Sequence, residues 1–163
     1  MLPTQEYKAK RYGGSAKCPF CANPDAQNHF MQCTNTKIGT YWTTKVRDIR
    51  ARLLKMHAHP LPLEAIINIL HDWHTSQNKR IGSESTLIQT TLQDQAKIGW
   101  DAFVRGFWSK QWAHVQHKHY KQNQMVTKKR TGAIWFRNCL RIIWTSVHDV
   151  WQHHDRETHA LQW

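Results

Sequence analysis

Residues 39–56 of this 163-residue chain read GTYWTTKVRDIRARLLKM. Large apolar side chains recur in this stretch at steps of four and three, which is the spacing of one face of a helix. They are Trp42, Val46, Ile49, Leu53 and Met56. The other face is rich in lysine and arginine, so the stretch predicts an amphipathic helix that ends before Pro60 and buries one side against the rest of the protein.

Similar periodicity recurs towards the C-terminus. Helices are predicted to start at Pro62, at Thr86, at Asp101 and at Gly132, with Gly106 inside the third of them and fraying beyond His148. No sustained strand pattern and no internal repeat are present. We therefore expect an all-α fold, a helical bundle of about four to five helices with an N-terminal zinc knuckle. Its predicted parts are a flexible basic arm at 1–16, the knuckle at 17–38 and the helical domain at 39–163.

A metal-binding pattern precedes the first long helix. Residues 18–33 read CPFCANPDAQNHFMQC, which is C-x2-C followed by H-x3-C. Two sulfurs of a C-x2-C turn can converge on one ion about 2.3 Å away, and a short helix capped by Asp25 would align the histidine with the last cysteine. A closed Cys3His tetrahedron is typical of structural zinc, because a catalytic ion keeps an open position. The predicted zinc ligands are Cys18, Cys21, His29 and Cys33.

The chain is strongly basic, with 23 Lys and Arg against 11 Asp and Glu and a formal net charge of +12. Such a charge favours a polyanion as partner, although it is also explained by solubility alone. The sequence shows neither the apolar run of a signal peptide nor a stretch apolar enough to span a membrane. We therefore expect an intracellular protein, nuclear or cytoplasmic, in which cysteines bind metal rather than form disulfides.

Basic side chains in three places are candidate phosphate contacts. The places are the N-terminal segment, the polar face of the 39–56 helix, and the loop predicted at 121–130. The candidates are Lys8, Lys10, Arg11, Lys17, Arg47, Arg50, Lys128, Lys129 and Arg130. Simple solvation explains the helix face equally well, and the loop has no need of a partner.

Several other residues invite a functional interpretation. Two histidine pairs with i, i+3 spacing could each present imidazoles to a second metal, although twelve histidines make chance pairs expected. The pairs are His71 with His74 and His114 with His117. Residues 153–155, His-His-Asp, lie where fraying is expected rather than catalysis. Cys139 lies in an apolar pattern and is predicted to be a buried, inert thiol.

The segment from C-P-F-C to H-F-M-Q-C resembles the zinc-binding segment near the C-terminus of non-LTR retrotransposon reverse transcriptases. Residues 98–112, IGWDAFVRGFWSKQW, and the Trp-rich final helix look like the helical region after such knuckles in retroelement-derived proteins of diatoms and other algae. The resemblance covers about residues 15–155, and Asp25 stands where the family often has Glu. It implies an accessory region of a reverse-transcriptase-like protein, with the four ligands named above.

The acidic residues are scattered and form no polymerase, ribonuclease H or integrase motif, so we predict a protein that is not an enzyme. The leading hypothesis is sequence-independent binding of RNA or DNA around a structural zinc. The alternative is a protein-docking module whose Trp-rich helices bind another chain. A metal-dependent nuclease is the third hypothesis, and it requires a second, open metal site.

Overall fold

The computed structural model of the protein describes residues 9–10, 15–25, 29–75 and 85–160. These residues form helices and no β-strand, with two isolated β-bridges, so the predicted all-α fold is confirmed. The helices are α1 (His29–Gln32), α2 (Thr36–Lys55), α3 (Pro60–Thr75), α4 (Thr86–Ile98), α5 (Trp100–Val104), α6 (Gln111–Gln122) and α7 (Gly132–Ala160). Among them, none combines the length and the apolar character needed to cross a bilayer.

The longest helix, α7, has 29 residues and forms the spine of the fold. It packs along α2 and α6 and also contacts α1, while α3 pairs with α2 and α4 packs on α6. The apolar face predicted for α2 is buried, with Trp42, Ile49 and Leu53 at most 1% exposed. The short α1 therefore lies where α2, α3 and α7 meet, and this junction holds a cluster of cysteines and histidines.

Helix boundaries differ from the prediction at three places. The α2 helix begins at Thr36, because the Asn35 side chain accepts a hydrogen bond from the Lys37 amide at 2.9 Å and caps it. Gly106 does not lie inside a helix: with φ of +89° it is in the turn that separates α5 from α6. The segment predicted as one helix is thus two, and α2 through α7 exceed the predicted four to five helices. At the C-terminal end, α7 stays helical to Ala160, beyond the predicted point of fraying.

Two fully buried glutamines hold irregular backbone in place. The side chain of Gln116 accepts from the His59 amide at 2.8 Å and donates to the His57 carbonyl at 3.0 Å, so it fixes the turn between α2 and α3. The side chain of Gln95 accepts from the Ser109 amide and the Trp112 indole and donates to the Phe107 carbonyl. Buried polar groups of this kind stabilise a fold only when every partner is satisfied.

Gly132 starts α7 where this helix crosses α6. A Cβ at this position would lie 2.1 Å from the carbonyl oxygen of Ala113 and 2.6 Å from the Cβ of His117. Both atoms belong to α6, one to its backbone and the other to the base of a side chain. Neither can rotate away, so the two helices would have to separate. We expect Gly132→Ala to lower the free energy of unfolding by about 1–3 kcal/mol in urea titrations. Ala133→Ser, at the exposed neighbouring position, is the control and should change it by no more than about 0.5 kcal/mol.

The imidazoles of His59 and His119 pack edge to face, with ring centroids 4.8 Å apart. Burial lowers the pKa of both, and repulsion from His119 lowers that of His59 further, as His57 does for His119. The unfolded chain therefore binds more protons just below the ordinary histidine pKa of about 6.5, so stability is present above that pH and is lost as pH falls below it.

This pH dependence is measurable as urea midpoints at about pH 7.5 and about pH 5.5. We expect His119→Gln to reduce the difference between the two midpoints, whereas His114→Gln, exposed on the same helix, leaves it unchanged. Equal pH dependence in the two variants would contradict the assignment.

Candidate metal centre

A tight turn presents the first two cysteines. The Cys18 amide donates to the Asn23 carbonyl at 2.8 Å, and the Ala22 amide donates back to the Cys18 carbonyl at 2.9 Å. Lys17 and Pro24 form an antiparallel bridge that closes the turn. Ala22 has a φ of +58°, a conformation that a non-glycine residue adopts only where the surrounding structure imposes it. The turn thus buries Cys18 and leaves Cys21 partly exposed.

Two other elements bring further donors to the same place. Helix α1 and the residue after it supply His29 and Cys33, and α7 supplies His154. The Cys18 sulfur lies 3.9 Å from the Cys33 sulfur and 3.5 Å from Nε2 of His154. The Cys21 sulfur lies 3.2 Å from Nε2 of His29. Donors from Cys18, His29, Cys33 and His154 therefore form one cluster, and Cys21 lies beside it next to His29.

The spacing of the donor atoms approaches that around a bound tetrahedral metal ion. With metal–sulfur distances of about 2.3 Å and metal–nitrogen distances of about 2.0–2.1 Å, donors around such an ion are about 3.3–3.8 Å apart. One donor atom from each of Cys18, His29, Cys33 and His154 lies within 4.8 Å of the others, and all four residues are buried. These four residues could hold a metal ion. An ion held by four buried residues would be shielded from water.

The thiols differ in acidity. Burial raises the pKa of Cys18, and it raises the pKa of Cys33 to about 12. The pKa of Cys21 is lowered: partial burial raises it, but hydrogen bonds to its sulfur from the Asn23 amide and from the Cys18 and Cys33 thiols outweigh that effect. Metal ligation requires the thiolate form, so an ion entering this site would displace protons from the buried sulfurs.

The surroundings of the two imidazoles favour the neutral form, which is the form that binds a metal. Burial lowers the pKa of His29 and of His154, and the negative charge of Asp25 opposes this on both rings. Asp25 is itself buried, at 6% exposed. A carboxylate that acts on ligating histidines is a common second partner in zinc sites, where it orients the rings. Sequence reasoning assigned Asp25 to a helix cap; the structure places its charge beside both imidazoles.

The predicted ligands come together, and one donor was missed. Cys18, His29 and Cys33 belong both to the predicted set and to the buried four, and Cys21 is adjacent to them. His154 was assigned to a fraying tail. A sequence indication existed, because its position continues the buried stripe of α7 through Val147 and Val150 at steps of three and four.

The other histidine pairs do not form a second cluster within the described residues. His74 contacts the Met31 carbonyl through Nδ1, and His71 lies beside Asp72. His117 accepts a hydrogen bond from the Gly132 amide at 3.3 Å. Cys139 is fully buried, as predicted, and burial raises the pKa of its thiol. All four cysteines are free thiols.

The residues predicted to contact phosphate differ in their exposure and in whether they are already paired. Lys8 and Arg11 lie outside the described residues. Arg50 forms a two-pronged ion pair with Glu64, with N–O distances of 2.9 and 2.5 Å, so its guanidinium is already engaged. Arg130 is half-buried. The remaining candidates, Lys10, Lys17, Arg47, Lys128 and Lys129, are exposed.

The chain matches no protein-family model, no curated protein and no solved structure. The resemblance of residues 18–33 to retroelement proteins therefore stays a prediction.

Proposed function

We propose that the protein is a non-catalytic module that carries one structural zinc ion and binds nucleic acid through contacts to phosphate groups. Sulfur and imidazole donors lie within 4.8 Å of one another here, and zinc prefers donors of these two kinds. Cys18, His29 and Cys33 supply three ligands, and Cys21 or His154 supplies the fourth. Thiol ligands suit a reducing compartment, so we place the protein inside the cell. The resemblance of residues 18–33 supports assignment to an accessory region of a reverse-transcriptase-like protein.

The charge of the surface supports a polyanionic partner. Four ion pairs join lysines or arginines to carboxylates among the described residues, and they involve Lys37, Lys45, Arg50 and Lys97. Many of the other described cations are exposed and have no carboxylate partner in the described part of the chain. Those within residues 110–141 are Lys110, Lys118, Lys121, Lys128, Lys129, Arg137 and Arg141.

The turn between α6 and α7 has a defined shape. Thr127 and Arg130 exchange two backbone hydrogen bonds, of 3.2 and 3.1 Å, and the Lys129 amide donates to the Thr127 hydroxyl at 3.3 Å. This leaves Lys128 and Lys129 exposed at the tip of the turn. A fixed turn positions its cations for phosphate at a lower entropic cost than a flexible tail.

Two cavities flank this turn, and they carry the proposal. One, of about 210 Å³, lies between the end of α2 and the start of α7, with Lys55, Lys129 and Arg130 in its wall. The other, of about 560 Å³, lies between α6 and the start of α7, with Lys110 and His114 in its wall. No carboxylate of the described residues lines either cavity. The first cavity has three cations and no acid among the described residues lining it, which concentrates positive potential where a phosphate group can lie, whereas Lys110 is the one lysine or arginine among those lining the second.

The proposal predicts strongly salt-dependent binding. Retention of single-stranded RNA or of duplex DNA should fall steeply between about 50 and about 200 mM salt, because phosphate contacts release counterions. The measurement is a fluorescence-anisotropy titration at several salt concentrations. Binding that does not respond to salt, or no binding, would refute the nucleic-acid function.

Two triple variants that remove the same charge test which surface binds nucleic acid. Replacing Lys55, Lys128 and Lys129 by Gln should weaken binding and reduce the slope of log affinity against log salt by about 1 for each lysine that contacts phosphate. The control replaces the ion-paired Lys37, Arg50 and Lys97 by Gln, which removes the same charge. Equal losses in both variants would mean that net charge, and not this surface, accounts for binding.

Exposed aromatic side chains favour protein docking as a second candidate function. Trp144 is 56% exposed and Phe107 is 64% exposed. Trp144 lies on the same face of α7 as Arg137 and Arg141, however, and an aromatic ring among cations also suits stacking on a base. Trp144→Ser should weaken binding to single strands more than to duplex DNA under the nucleic-acid proposal, and should affect neither if the residue serves protein docking.

A further inference from the structure

The imidazole of His154 is fixed in the protein interior. It is 5% exposed, and the ring of Phe20 packs against it edge on, with centroids 5.5 Å apart. One turn further along α7, the Thr158 hydroxyl donates to the His154 carbonyl at 2.8 Å. A ring held by packing on a long helix is a better preorganised metal ligand than one on a loop.

The degree of burial distinguishes His154 from Cys21, the other candidate for the fourth ligand position. Cys18, His29, Cys33 and His154 are between 1% and 9% exposed, whereas Cys21 is only partly buried, at the outer edge of the cluster. An ion held by the four buried donors would be shielded from water on every side. With Cys21 in place of His154, a buried imidazole would remain 3.5 Å from the Cys18 sulfur without a metal to bind.

Charge points in the same direction. Two thiolates neutralise a dication, whereas three leave a net charge of about −1, which is costly to bury. The buried Asp25 already contributes negative charge near the imidazoles. Lys37, a cation close in sequence, is paired with Glu157 at 3.3 Å, and Lys17 is exposed. The Cys2His2 set is therefore the one that this interior accommodates best.

We infer that His154 is the fourth ligand of the metal, so that a single ion joins the N-terminal turn and α1 to the last turns of α7. The inference rests on the zinc site of the proposed function and goes beyond it, because the ion then links the two ends of the chain rather than closing a local knuckle. Cys21 is a hydrogen-bonded neighbour of the centre.

Cobalt substitution of the full chain tests the ligand set. The Co²⁺-loaded protein shows thiolate-to-metal charge-transfer absorption that scales with the number of bound thiolates. Cys21→Ser should keep one cobalt per chain and the wild-type absorption. His154→Ala should weaken Co²⁺ binding by about 10-fold or more. His153→Ala is the matched control, since this neighbouring ring stacks on Tyr41 and should leave Co²⁺ binding unchanged.

The opposite pattern would overturn the inference: loss of charge-transfer absorption in Cys21→Ser, with His154→Ala binding cobalt like His153→Ala. In case His154→Ala does not fold, NMR of the cadmium-loaded wild-type protein identifies the ligands directly, because scalar coupling to the metal must include the His154 ring and must omit Cys21. Wild-type protein that binds no metal would refute the zinc proposal itself, whereas bound metal without coupling to His154 would refute only the inference.

Discussion

Cys33→Ser is expected to abolish stoichiometric metal binding and to destabilise the protein by several kcal/mol. Cys33 is 1% exposed, and its sulfur lies 3.9 Å from that of Cys18, so it belongs to every ligand set that the geometry allows. Metal at about a thousand times its dissociation constant stabilises a fold by about 4 kcal/mol, and the variant forfeits that contribution. Metal analysis and urea unfolding, each with and without a chelator, measure the two effects.

Cys139→Ala is the control for this prediction. Cys139 is fully buried in α7 but is not one of the clustered donors, so its replacement should cost packing energy while leaving one metal per chain. The chelator should destabilise Cys139→Ala as much as the wild-type protein and should have little effect on Cys33→Ser. A Cys33→Ser variant that still holds one metal would contradict the assignment of the centre.

Loss of the metal should also destabilise one part of the fold before the rest. The centre joins the turn at 16–25, α1 and the end of α7, whereas α4, α5 and α6 are held by the separate contacts around Gln95. Amide hydrogen exchange should therefore accelerate in α1 and in the last turns of α7 first, and least in α6.

The buried face of a long helix is the part of this fold that sequence predicts well. In α2, Trp42, Ile49 and Leu53 repeat at helical spacing, and periodicity alone identifies the side that packs. The break between α5 and α6 depends instead on tertiary contacts. The Trp108 ring stacks on Phe103 with centroids 4.3 Å apart, and Gly106 takes a positive φ to allow it. Glycine in a helical pattern does not reveal which neighbour it will have to accommodate.

In the candidate metal centre, too, the residues close together in sequence were predictable and the distant one was not. Cys18, His29 and Cys33 could be identified because ligands close in sequence have characteristic spacings. His154 reaches the cluster from the far end of the chain, and only the packing of α7 against α1 brings it there. No local spacing encodes such a ligand, and the apolar stripe that runs up to it indicates burial without indicating a metal.

Gln95→Met is expected to destabilise the protein by about 2–5 kcal/mol, because methionine fills a similar volume but leaves three polar groups without their partner, and the two that belong to buried residues cost about 1–3 kcal/mol each. The groups are the Ser109 amide at 2.9 Å, the Trp112 indole at 3.2 Å and the Phe107 carbonyl at 3.0 Å. A glutamine in the middle of a helix carries no sequence feature that marks it as the support of the segment between α5 and α6.

Gln93→Met, at an exposed position two residues earlier in α4, makes the same chemical change and should alter stability by no more than about 0.5 kcal/mol. Urea unfolding of both variants compares them, and metal content should stay at one per chain in each, which separates this effect from that of Cys33→Ser. The chemical shift of the Trp112 indole proton should move in Gln95→Met and not in Gln93→Met, because the indole loses its acceptor in the first variant alone. Equal stability of the two variants would show that the surrounding backbone finds other partners and that Gln95 does not hold the turn.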